Sequence, residues 1–181
     1  MESQSNTKRI FLLFLAVLGW IALIGQFYLI IINRETSVAE AVVRYFTFFT
    51  ILTNLLIAVC TIVLVIKPAS YWGKFFSRPS TLTAIAVSIT IVGAVYNIIL
   101  RSLWKPQGFQ RLVDELLHLV IPVLFIIFWV VFVPKGLLKW RNILLWMVYP
   151  LVYLLIVIVR GMFSGYYPYP FLDINTFGYP G

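Results

Sequence analysis

The chain has 181 residues, of which 62% are hydrophobic and 11% charged, against about 25% charged in soluble domains. That leaves too little polar surface to cover a water-soluble globule, and points to an all-α, polytopic membrane helix bundle. The net charge of +8 argues for no nucleic-acid partner, because the fourteen Lys and Arg stand between apolar runs, where they act as topology signals and headgroup contacts.

Five spans are expected within a single transmembrane domain. Met1 to Arg9 reads as a polar tail, and the first span covers about 10–32; it is too long for the apolar core of a cleavable signal peptide. The second covers about 38–66, longer than a bilayer needs, so Glu40 and Arg44 stand at or above the interface. Lys67-Pro68 ends it. A loop with Tyr71, Trp72, Lys74, Arg78 and Pro79 has the mixture of an interface belt. The third span covers about 80–103 and carries Asn97 and Arg101 four residues apart, on one helix face. The fourth covers about 110–133 and contains Pro122, which frees a carbonyl one turn earlier and predicts a kink beside His118. The fifth covers about 138–160 and contains Pro150, leaving 161–181 as an aromatic interfacial tail.

With the N-terminus inside, the cytoplasmic segments hold eight Lys and Arg and the opposite ones six, a small bias toward an N-terminus-in orientation. A multi-pass integral membrane protein is the expected setting.

The most informative stretch is Asp114-Glu115-Leu-Leu-His118. His118 is the only histidine, and it stands at the start of an uncharged run from Leu116 to Val133. Those eighteen residues suffice for about 30 Å of hydrocarbon at about 1.5 Å per residue. An ionisable group about one turn inside the membrane is a functional-site candidate by default. Asp114 and Glu115 lie four and three residues before it, on the same helix face. Counted from the interface on the second and fourth spans, Thr47 and His118 are equally deep, with Thr50 about one turn deeper; Asn97, Arg101 and Arg160 end in the same layer. Thr47, Thr50 and Asn54 share one face of a continuous helix. The plainer readings are that the threonines bond their own backbone, that His118 bonds a neighbouring helix, and that the carboxylates complement a helix N-terminus or pair with arginines.

At these residues the chain resembles a known family. Arg44-Tyr-Phe-Thr47-Phe, then Asp114-Glu-Leu-Leu-His118-Leu-Val-Ile-Pro122-Val-Leu-Phe, then Gly161-Met and Tyr169-Pro170-Phe171-Leu172, are similar in order and spacing to the androgen-induced-gene and androgen-dependent TFPI-regulating protein family, and closest to its prokaryotic six-helix relatives. The resemblance implies an intramembrane threonine hydrolase of fatty acid esters of hydroxy fatty acids, with His118 as base and Thr47 as nucleophile; Thr50 is the alternative nucleophile by a slip of register. Two departures stand out. Ser164-Gly-Tyr-Tyr-Pro168 is extra, and the chain stops at Gly178-Tyr-Pro-Gly181, where such proteins would begin a sixth helix.

On that reading Asp114 or Glu115 orients the imidazole, Asn97 or Arg101 stabilises the oxyanion, and Arg101 or Arg160 receives a substrate carboxylate. The tail Tyr166 to Tyr169 caps the site or forms an interfacial belt. The implied partner is a membrane lipid or fatty acid ester. No cofactor is expected, and no metal, since one histidine and one distant cysteine, Cys60, leave only carboxylates. The competing expectations are a small proton-coupled carrier and a non-catalytic assembly protein.

Overall fold

A computed structural model describes residues 6–173. The end of the expected aromatic tail, 174–181, lies outside the described residues, as does the start of the polar N-terminal tail. Among the described residues there is no strand; five helices are long and apolar enough to cross a membrane, and the chain is a multi-pass helical membrane protein.

The helices are α1 (Asn6–Ile32), α2 (Val38–Thr47), α3 (Phe49–Ile66), the short α4 (Tyr71–Phe76), α5 (Pro79–Leu103), α6 (Gly108–Phe132) and α7 (Ile143–Ser164). Asn6 to Arg9 already belong to α1, so the expected polar tail is shorter than its composition implied. At the centre, α1 packs along α3, where a Cβ on Gly19 would come within 3.1 Å of the Ala58 Cβ. α3 is the most enclosed span and α7 the least. Pro79 occupies the first turn of α5, where its missing N–H costs nothing. Gly165 ends α7 in the left-handed conformation at φ 68°.

The expected continuous helix over 38–66 is instead two helices. Phe48 is extended, with φ −80° and ψ 125°, and divides α2 from α3. Neither proline nor glycine causes this. The break persists because distant groups take up what it frees: the Tyr153 hydroxyl on α7 donates to the Thr47 carbonyl at 2.8 Å, and the Thr47 hydroxyl donates to the Arg44 carbonyl at 2.6 Å. The Phe48 ring meets Tyr169 edge-on at 5.9 Å.

The expected kink at Pro122 takes the form of a wider turn. Leu116–Val120 is wound as π-helix immediately before it, facing a second π segment, Tyr96–Leu100, on α5. Proline offers no N–H to the carbonyls four and five residues back. Both are claimed by asparagines of other helices: Asn97 Nδ2 donates to the His118 carbonyl and Asn54 Nδ2 to the Leu117 carbonyl, each at 3.2 Å. The turn carrying His118 is thus clamped from α3 and α5.

Candidate functional site

The π turn of α6 turns His118 toward the N-terminus of α3. Its Nε2 lies 3.2 Å from Thr50 Oγ1. Its Nδ1 lies 2.9 Å from the Asp114 backbone carbonyl. A carbonyl only accepts, so Nδ1 carries a proton, and in the neutral imidazole the Nε2 lone pair faces the Thr50 hydroxyl. The Asp114 carboxylate is 3.4 Å from Nδ1 through Oδ1; its Oδ2 accepts a hydrogen bond from the Tyr96 hydroxyl. The Tyr96 ring lies on the imidazole, with centroids 4.0 Å apart and planes 16° apart. The imidazole is therefore held on one edge, one face and its backbone, while the edge toward Thr50 is open for proton transfer.

Thr50 sits in the first turn of α3. The amides of that turn have no acceptor one turn back within α3, and the Phe48 side chain provides no cap. Leu52 N–H finds the Phe48 carbonyl at 3.1 Å, and the positive end of the helix dipole lies at this turn. The tail reaches the same place. Tyr169 is buried, its hydroxyl 3.4 Å from Thr50 Oγ1 and 3.5 Å from the Thr50 amide, whose N–H donates to it. Burial pushes the Tyr169 phenol above its usual range, against the opposite pull of hydrogen bonding from Thr50, so it stays protonated and able to donate.

The other expected residues divide clearly. Thr47, expected beside the imidazole, instead stands at the end of α2, where its hydroxyl donates to the Arg44 carbonyl. Asn97 holds the His118 carbonyl and so positions the histidine. Glu115 pairs with Arg101 near the surface and does not reach the imidazole. Arg160 donates to Glu40 Oε1 at 2.8 Å, and Arg44 to the same oxygen at 2.9 Å. Tyr166 covers both guanidiniums, 4.1 Å from Arg44 and 5.5 Å from Arg160. These hydrogen bonds, Arg44 first and Arg160 next, hold the Glu40 carboxyl below its usual range. The cluster pins the tail over the site. Among the described residues, no group of three or more His, Cys, Asp or Glu comes together as a metal would need.

Tyr96 and Asn54 are site residues whose roles the linear pattern does not disclose, whereas Tyr169 belongs to the tail expected either to cap the site or to form an interfacial belt. Asn54, four residues after Thr50, carries a faint signal as an amide in an apolar span. Tyr96 precedes Asn97 in a run of aliphatics and carries none.

Two cavities meet at Thr50. One, of about 870 Å³, runs from Thr50, His118 and Asp114 past Arg44 and Tyr166 to Arg34 and Lys105. The other, of about 250 Å³, is almost wholly apolar and lies between α5 and α7, walled by Val92, Val95, Met147 and Leu154. Thr50, Tyr96, Leu100 and Tyr169 line both. Comparison with models of known families, with characterised proteins and with solved structures found no match.

Proposed function

We propose that the protein is an intramembrane hydrolase of lipid esters, with Thr50 as nucleophile and His118 as general base. The observation that carries this reading is the 3.2 Å approach of Thr50 Oγ1 to an imidazole nitrogen whose lone pair is free. A threonine hydroxyl becomes an effective nucleophile when an adjacent base takes its proton.

In the first half-reaction the Oγ1 proton moves to Nε2 as Oγ1 bonds to the ester carbonyl carbon. The carbonyl oxygen becomes an oxyanion, for which the Tyr169 hydroxyl beside Oγ1 is a suitably placed donor. Collapse breaks the bond to the alcohol oxygen, which takes the proton from Nε2, leaving an acyl ester on Thr50. In the second half-reaction a water gives its proton to Nε2 and attacks the acyl carbon, and Oγ1 leaves with that proton. The imidazolium formed twice in the cycle faces the Asp114 carboxylate, which favours its charge.

The paired cavities support a lipid ester as substrate. The apolar fissure suits an acyl chain, and the polar vestibule suits an alcohol portion that carries charge or reaches the interface. Fatty acid esters of hydroxy fatty acids, the substrates implied by the family resemblance, have both parts. The test is release of free fatty acid from such an ester by the purified protein in detergent. Turnover lost in Thr50→Ala and in His118→Ala, with both variants folded, supports the reading. Absence of turnover by the parent protein over a series of lipid esters overturns it.

A further inference from the structure

At the opposite end of the bundle a groove of about 650 Å³ lies between α5, α6 and the start of α7. Val87, Ile126 and Ile143 line it, with Trp129 and Trp146 beside them, and Lys139 stands among its lining residues on the connection between α6 and α7. Four of its polar wall groups are already satisfied. The Trp129 indole donates to Thr83 Oγ1 and the Trp146 indole to Ser80 Oγ, each at 2.9 Å, and the Thr83 and Thr90 hydroxyls donate to backbone carbonyls of α5. The interior thus asks for hydrocarbon and offers nothing to a polar ligand.

The charge around it is of one sign. Lys8, Arg9, Lys67, Lys74, Arg78, Lys135, Lys139 and Arg141 all belong to segments at this end, while every described carboxylate (Glu35, Glu40, Asp114, Glu115 and Asp173) belongs to segments at the other. Lys135 is engaged, donating to the Trp129 and Val130 carbonyls at the end of α6. The Lys139 ammonium has no hydrogen bond or ion pair with another described residue. A groove that fits an acyl chain, with an unpaired ammonium among its lining and indoles at its side, has the chemistry to hold one kind of membrane component.

We propose that this groove is a binding site for an anionic phospholipid, with an acyl chain along Val87, Ile126 and Ile143 and the headgroup phosphate on Lys139. The site is separate from Thr50 and His118, and stands or falls independently of the hydrolase reading. Attraction of anionic lipid to a basic residue near the surface is worth about 1 kcal/mol per residue, or about fivefold in affinity.

The experiment is lipid titration of the purified full chain in neutral detergent, read by native mass spectrometry and thermal unfolding, with phosphatidylglycerol and phosphatidylcholine of the same chains. Phosphatidylglycerol is expected to remain bound at lower concentration and to raise the unfolding temperature more. Lys139→Gln should weaken its retention about fivefold, whereas Lys74→Gln, at the same end but outside the groove, should not. Val87→Phe, which fills the groove, should lower retention of both lipids without lowering the unfolding temperature of the lipid-free protein. Equal retention of the two lipids by the parent, or retention unchanged in both Lys139→Gln and Val87→Phe, overturns the proposal. So does a dimer that forms in place of the lipid adduct and is lost in Val87→Phe.

Discussion

Thr50 Oγ1 and His118 Nε2 lie 3.2 Å apart, although 68 residues separate them in the chain. Two local departures from the α-helix bring them together: the break at Phe48, which makes Thr50 a first-turn residue of α3, and the π turn before Pro122, which turns His118 inward.

The asparagine clamps make the first prediction. Asn97→Leu and Asn54→Leu each remove the donor to a carbonyl that Pro122 leaves open. An orphaned buried carbonyl costs about 1–3 kcal/mol, and each variant should unfold at lower temperature by a corresponding amount. Folded Asn97→Leu should also turn over more slowly, because the imidazole loses its registration. Thermal unfolding and initial rates on the same preparations check both effects.

Tyr169 gives a second. Tyr169→Phe keeps the ring against Phe48 and removes the hydroxyl near Thr50. Loss of one oxyanion donor typically lowers kcat by about a hundredfold to a thousandfold, and kcat should fall here with little change in KM. A rise in KM at constant kcat would assign the tyrosine to ground-state binding instead.

Asp114→Asn separates charge from geometry. The backbone carbonyl that holds Nδ1 remains, while the negative charge facing the imidazolium is lost. Turnover should drop by at least about tenfold, equivalent to about 1.4 kcal/mol in the barrier, with the unfolding temperature nearly unchanged. Glu115→Gln, which loses only a surface pair with Arg101, should leave turnover unaltered.

The tail latch makes a prediction about pH. Arg44 and Arg160 depress the pKa of Glu40, so the folded protein holds this carboxylate ionised to lower pH than the unfolded chain does. A depressed carboxylate stabilises the fold above its unfolded value, here 4.5, and that contribution disappears as pH falls through the folded value. Between pH 7 and 5 the tail should stay in place. Below about pH 4.5 it should release, with faster proteolysis within 165–172. Glu40→Gln should release it at neutral pH.

Much of the architecture can be read from the chain, and much of the site cannot. Apolar run length anticipates five helices able to cross a membrane, because bilayer thickness is a constraint that each run must meet alone, but it starts the second at Val38, whereas that span begins at Phe49. His118 stands out for the same reason, as the one imidazole where lipid is expected. The break at Phe48 left no mark in Arg-Tyr-Phe-Thr-Phe-Phe-Thr, a stretch that reads as helix throughout. The group that takes up the freed Thr47 carbonyl is the Tyr153 hydroxyl, 106 residues further along the chain. A continuous helix puts Thr47 at the depth of the imidazole; one extended residue hands that place to Thr50. Pro122 announces a distortion near His118, but only the asparagines of α3 and α5 determine its form.

The most direct test of the central claim is mass spectrometry of the protein quenched during turnover of a slowly hydrolysed lipid ester. The account predicts an acyl group on Thr50, absent in Thr50→Ala and in His118→Ala and retained in Thr47→Ala. An acyl group on Thr47, or turnover that persists in Thr50→Ala, would contradict it.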